Sequence, residues 1–175
     1  MFNIKKQPLY DIDAVQPMRD EVTFVGFEEL TNAESVKKSM DENKDKTVLV
    51  FINSVCGCAA GSARPAVTKA LQNLVIPDKL FTLFAGQDRE AVEFFRSNYL
   101  SKLPPSSPSI FLFKNGELIY GLQRMNIEGN DADYLAEQLK TAFDKFCSNI
   151  GPSIAKDKYE SLEHYKACGS KIPLN

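Results

Sequence analysis

Two cysteines separated by one glycine, Cys56-Gly57-Cys58, are the residues of this chain best suited to chemistry. They follow the apolar run Val48-Leu49-Val50-Phe51-Ile52 and precede a small-residue stretch, Ala59-Ala60-Gly61-Ser62-Ala63, that reads as the start of a helix. A thiol at that handover faces unpaired N–H groups and the positive end of the helix dipole, which favour thiolate over thiol. Thiolate is the attacking form in thiol–disulfide exchange. Cys58 is close enough to attack a mixed disulfide formed on Cys56. Gly57 is the residue that best tolerates the tight ring such a step would close. No large side chain follows directly, so a protein or a bulky thiol can approach the sulfurs. Three other readings of the pair stand beside this one. The cysteines could be small core residues, since free cysteine is often buried. They could hold a metal with Cys147, Cys168 or His164, although the spacing is not the Cys-x-x-Cys of zinc knuckles. A hydrolytic nucleophile would need a base, and the only histidine is His164, far along the chain.

The elements that must position this pair read as alternating strands and helices. Five apolar, largely β-branched residues at 48–52 are too few for a helix and indicate a strand buried on both faces, as in a parallel or mixed sheet. A second such strand is Leu80-Phe81-Thr82-Leu83-Phe84, and a third is Ile110-Phe111-Leu112-Phe113. Asn115-Gly116 is a hairpin turn signal, because both positions want positive φ, and it leads into Leu118-Ile119-Tyr120. Helices are expected over Leu9 to Phe27, where Pro17 marks either a helix start or a break. Others are expected from Thr31 or Asn32 to about Asn43, after the cysteines to about Leu74, from Gln87 or Asp88 to about Tyr99, and from Asn130 or Asp131 onward. Leu135, Leu139, Ala142, Phe143 and Phe146 form one core-facing stripe on the last of these. The strand–helix–strand units imply right-handed crossovers with parallel pairing, and the hairpin adds an antiparallel edge. A central mixed sheet flanked by helices follows, which the pattern alone leaves as an α/β or α+β sandwich.

The chain of 175 residues is 43% hydrophobic and 25% charged, enough for one real core without disulfide staples. A net charge of −2 offers no general attraction to nucleic acid or to anionic membrane. No apolar window reaches membrane-spanning length, and the first residues lack a secretory core. The expected location is cytoplasmic, where close-set cysteines more often mean chemistry or metal than a structural bridge. Gly151-Pro152 marks a boundary. Residues 1–150 read as one domain, and residues 151–175 as a tail that is not a separate domain, with a short helix over Tyr159 to Ala167 ended by Gly169. The tail is expected to be dispensable for chemistry and Cys168 to be inert, as is Cys147.

The segment Asn53-Ser54-Val55-Cys56-Gly57-Cys58-Ala59-Ala60-Gly61, with Ala63-Arg64-Pro65-Ala66, resembles the active-site segment of the bacilliredoxins. Supporting stretches are Pro17-Met18-Arg19 with Gly26-Phe27-Glu28-Glu29-Leu30, Phe84-Ala85-Gly86-Gln87-Asp88, Pro105-Ser106-Ser107-Pro108-Ser109, and Ile127-Glu128-Gly129 with Ala142-Phe143-Asp144 and Cys147. The resemblance covers roughly residues 8–147, and its Cys-Gly-Cys segment is highly specific. Pro108 through Glu117 also resembles the cis-proline strand and hairpin of thioredoxins.

This resemblance implies a thioredoxin-like three-layer sandwich and an oxidoreductase that removes bacillithiol, a small thiol, from capped protein cysteines. Cys56 would attack and Cys58 would resolve. No tightly bound cofactor is implied; bacillithiol is a thiol co-substrate, and metal ligands are not expected. Implied partners are bacillithiol-capped cytosolic proteins and a bacillithiol disulfide reductase system, with no nucleic acid and no membrane. Ser107-Pro108 is expected to be a cis peptide facing the cysteines, and Ser107, Pro108 and Gly57 to contact substrate. Arg64 is expected either to attract a carboxylate of bacillithiol or to serve as a solvated helix residue or one half of an ion pair. The alternative functions are a general disulfide isomerase or reductase using the same pair, and a metal-binding or scaffold protein.

Overall fold

A computed structural model describes residues 6–167 and 169–175; Cys168 lies outside the described residues. The chain runs α1 (Ile12–Thr23), β1 (Glu28–Glu29), α2 (Ala33–Glu42), β2 (Thr47–Asn53), a wide π-helical turn (Ala59–Ala63), α3 (Arg64–Ala70), β3 (Val75–Ile76), β4 (Lys79–Phe84), α4 (Arg89–Tyr99), β5 (Ser109–Lys114), β6 (Glu117–Leu122), α5 (Arg124–Ile127), α6 (Ala132–Phe146), β7 (Asn149–Ile150) and α7 (Lys156–Glu160). A 3₁₀ turn at Gly169–Lys171 follows. No helix of the described chain is long and apolar enough to cross a membrane.

The main sheet has strand order β1-β4-β2-β5-β6. Every residue of the central strand β2 is buried, which explains its unbroken apolar sequence. β4 lies parallel to β2, as the α3 crossover requires. β5 departs from expectation. It pairs antiparallel to β2, with Ile52 opposite Ser109, so α4 does not complete a second parallel unit. The hairpin to β6 forms as read: Asn115 and Gly116 both take positive φ, at 53° and 77°.

Helices cover both faces, giving the thioredoxin-like three-layer arrangement. One core cluster lies between the sheet and α1, α3 and α6, with Leu49, Phe51, Val67, Leu139 and Phe143 at its centre. The other lies under α2 and α4, around Val50, Ile52, Phe95 and Phe113. Phe95 and Phe113 meet edge to face with ring centroids 5.9 Å apart. Caps fall on the residues that the sequence offered: Asn32 closes a capping box with Ser35, and Asp131 accepts from the Tyr134 N–H. Pro17 sits inside α1 and neither starts nor breaks it.

Three of the stretches that carry the resemblance hold one another. Arg19 donates to Glu29 at 2.8 Å and, through two nitrogens, to both oxygens of Asp88. Its guanidinium also lies over the Phe84 ring.

The tail is not loose. The backbone N–H groups of Gly151 and Ser153 donate to the carbonyls of Leu74 and Leu71. Ile154, Tyr159 and Leu162 pack on the main core. The tail helix begins and ends earlier than expected, at Lys156 and Glu160, and residues 162–167 run without helix. The two-residue strands β3 and β7 pair with each other in a small second sheet that the periodicity did not reveal.

Candidate active site

Cys56 follows the carboxyl end of β2, the end of the sheet where α/β proteins place their chemistry. Its carbonyl accepts from the N–H groups of Ala59 and Ala60, so it stands at the mouth of the helix. The next turn is wide: the Arg64 N–H reaches back five residues to the Ala59 carbonyl. This spacing accommodates Pro65, which has no N–H to offer, at the start of α3. Wide turns of this kind occur often at functional sites.

The two sulfurs are 2.8 Å apart as free thiols, each partly exposed, with Gly57 exposed between them. Their ionisation is split. Burial pushes the Cys56 thiol up, but hydrogen bonds from the Cys58 thiol, the Ala59 N–H and Ser54, with the charge of Arg124, bring it below its ordinary value. Burial pushes Cys58 up to about 11, helped by its hydrogen bond to Cys56 and the neighbouring charge. Of the two thiols Cys56 is thus the more readily ionised, while Cys58 holds its proton and donates it.

Ser107-Pro108 is a cis peptide. Ser109 pairs with Ile52, so the antiparallel register places Pro108 beside Asn53, three residues before Cys56. Pro108 itself is buried and Ser107 half-buried, so of the two Ser107 is the one open to a ligand.

For Arg64 the ligand-binding expectation is corrected and the ion-pair alternative is found. Its side chain is fully buried, not turned to a ligand. Nε donates to Glu21 Oε2 at 2.9 Å, Nη1 to the Ser54 carbonyl at 2.9 Å and to Asn53 Oδ1 at 3.2 Å, and Nη2 to the Tyr165 carbonyl at 3.0 Å. A charge so deep must be paired, and this one is spent on the loop that carries Cys56.

The cation open to solvent near the sulfurs is Arg124, which the sequence reading missed. β5 and β6 pair with Ile110 opposite Leu122, so Arg124 falls across from Pro108 at the same end of the sheet. Its backbone N–H reaches Ser106 Oγ at 3.4 Å, and its side chain is about half exposed with only a 3.7 Å contact to Glu128. Counting pairs outward from Asn115-Gly116 reaches Gln123 opposite Pro108; a bulge between Leu112 and Phe113 shifts the register by one and brings Arg124 there.

Cys147 takes no part here. It neighbours Thr47, at the opposite end of β2, and burial pushes its thiol up to about 11. Seven residues of strand, roughly 23 Å, separate the two ends. His164 pairs with Glu21 at 2.7 Å. Among the described residues no three His, Cys, Asp or Glu side chains gather to hold a metal ion.

The family model described as disulphide isomerase matches residues 10–147. The chain is 47% identical over 144 residues to a Salinibacter ruber protein named bacilliredoxin, covering 82% of this chain and 84% of that one. It is also 47% identical over 139 residues to a Staphylococcus aureus bacilliredoxin, covering 79% and 94%. A solved structure of mitochondrial thioredoxin 3 from Saccharomyces cerevisiae, in its oxidized form, aligns with 71% of this chain and 99% of that one, at 18% identity and a TM-score of 0.47. The two bacilliredoxin relatives, with the helix-covered mixed sheet and its cis-proline beside the Cys56 loop, define a thiol–disulfide oxidoreductase of thioredoxin-like fold. The match extends over four fifths of the chain and includes the whole Cys-Gly-Cys region. The chain belongs to the bacilliredoxin family.

Proposed function

We propose that this protein removes bacillithiol from capped protein cysteines in the cytoplasm, with Cys56 as nucleophile and Cys58 as resolving thiol. The observation that carries the reading is the split pair: a depressed Cys56 thiol 2.8 Å from a raised Cys58 thiol. The Cys56 thiolate attacks the bacillithiol sulfur of the mixed disulfide. A Cys56–bacillithiol bond forms, the old S–S bond breaks, and the target leaves as thiolate and takes a proton from solvent. Capping Cys56 removes both the hydrogen bond and the charge that help to hold the Cys58 proton. Cys58 then ionises more readily and attacks Cys56. Bacillithiol leaves as a thiol, and a Cys56–Cys58 disulfide remains. A second bacillithiol can clear the cap instead. Two electrons from a bacillithiol disulfide reductase system restore the dithiol.

Gly57 and Ser107 leave room for the target backbone on either side of the sulfurs. Arg124 takes the anion-attracting role that the sequence reading gave Arg64, since bacillithiol carries a malate group. Shuffling of protein disulfides is the alternative use of the same pair, in keeping with the name of the family model. It shares the first attack but needs no bacillithiol.

The test is intact-mass spectrometry after mixing with a bacillithiol-capped protein. Cys58→Ser should accumulate one bacillithiol per chain on Cys56, and Cys56→Ser should release no cap. Release by Cys56→Ser but not by Cys58→Ser would reverse the roles. Failure of wild type to release the cap, with activity on a scrambled disulfide substrate, would favour the isomerase.

A further inference from the structure

Residues 164–167 and 169–175 lie beyond the stretch that the family model matches, yet they reach the loop that carries Cys56. His164 Nδ1 is 2.7 Å from Glu21 Oε1, and the Tyr165 N–H donates to Glu21 Oε2 at 3.2 Å. The Tyr165 carbonyl accepts from Arg64 Nη2 at 3.0 Å. Arg64 turns Nη1 to the Ser54 carbonyl, and the Cys56 N–H is 3.4 Å from Ser54 Oγ. The charge of Cys56 is felt at Arg64.

An apolar contact runs beside this polar path. Val55 is 6% exposed and shares a small cluster with Ile172, against which Tyr165 and Ala167 pack. Gly169 lies flat on Val55: a β-carbon there would stand 3.0 Å from Val55 Cγ2 and 3.3 Å from its carbonyl oxygen. The far end is tied down. Tyr10 and Leu174 form an antiparallel bridge, and the Asp11 N–H donates to the Pro173 carbonyl at 2.9 Å.

We propose that residues 164–167 and 169–175 are a positioning strap for the Cys56 thiolate, clamping Arg64 and Val55 from behind and so fixing the turn that presents the sulfur. The proposal rests on Cys56 being the attacking thiol, but not on the identity of the cap. The hydrogen bonds that favour the thiolate weaken steeply as their geometry is lost. A loop at the end of a strand is free to lose it unless something packs behind. The strap also keeps water off Arg64, so that its charge acts through a low dielectric.

The test uses full-length chains and reads alkylation of the Cys56 peptide by iodoacetamide across about pH 5 to 10. Ile172→Ala takes away the apolar anchor, and Gly169→Val wedges the strap off Val55. Both should move the Cys56 titration up by about one unit, slowing alkylation about tenfold on the acid side and leaving the alkaline plateau unchanged. Ile172→Val, which keeps most of the contact, should stay near wild type. Two folded variants with lowered melting temperature and a wild-type titration would overturn the proposal, because a merely stabilising tail behaves that way. If Ile172→Ala does not fold, Gly169→Val decides alone. Wild type that alkylates as expected but releases no bacillithiol counts against the functional reading only, because alkylation needs no bacillithiol.

Discussion

Glu21 and Arg64 form a buried ion pair beneath the cysteine loop: Arg64 Nε donates to Glu21 Oε2 at 2.9 Å, and neither side chain is exposed. Every acceptor around the guanidinium belongs to a different part of the chain: α1, the end of β2, the Ser54 loop and the tail. Removing one partner strands the other charge in the core. Glu21→Ala or Arg64→Ala should each lower stability by about 3–5 kcal/mol. Replacing both with apolar residues of similar volume should cost less than either single change. Urea denaturation of the three variants checks this, and a loss below about 1 kcal/mol for either single change would contradict it.

The two thiols should titrate in a fixed order. At neutral pH a small alkylating reagent should label Cys56 and spare Cys58, whose thiol is held up to about 11. Two of the three largest causes of that rise come from Cys56 itself, so in Cys56→Ser the Cys58 thiol should titrate lower. In Cys58→Ala the Cys56 thiol loses a hydrogen-bond donor and should titrate higher. Thiolate absorbance against pH reads both shifts. Equal labelling of the two cysteines at neutral pH would refute the split.

Arg124 should matter for charge and not for stability. Its cation lowers the Cys56 thiol, after burial and three hydrogen bonds. Arg124→Gln should raise the Cys56 titration by less than about one unit. It should slow release of an anionic cap more than release of a neutral one, with Arg124→Lys falling between. Equal slowing of both caps would remove Arg124 from recognition.

A chain ending at Gly151 should be markedly less stable than the full chain, although the tail's place beyond the last periodic helix and the matched region made it expected to be dispensable for chemistry. It loses Ile154, Tyr159 and Leu162 from the main core, which together stabilise by roughly 3 kcal/mol as partly buried side chains. It also leaves Arg64 Nη2 without the Tyr165 carbonyl. Thermal unfolding of the two lengths decides the matter, and equal melting temperatures would show the tail to be idle.

The sequence by itself determined most of the local structure and the chemical pair. The apolar run at 48–52 became the central strand, Asn115-Gly116 became the hairpin turn, and Cys56-Gly57-Cys58 fell at a strand-to-helix handover. Each is a local signal, set by side-chain period, turn geometry or chain order. The direction of β5 was not legible, because a buried apolar strand reads the same either way. Pairing decided it, and only the antiparallel choice brings Ser107-Pro108 and Arg124 to the end of the sheet where Cys56 stands. The role of Arg64 was likewise hidden. Its sequence neighbours suggest an exposed helix start, whereas its partners Glu21 and Tyr165 lie 43 and 101 residues away. Glu21 had one legible sign, a carboxylate on the apolar face of α1 between Met18 and Val22. A buried charge needs a partner of opposite sign, but which one it finds depends on contacts across the whole chain, and only folding makes those.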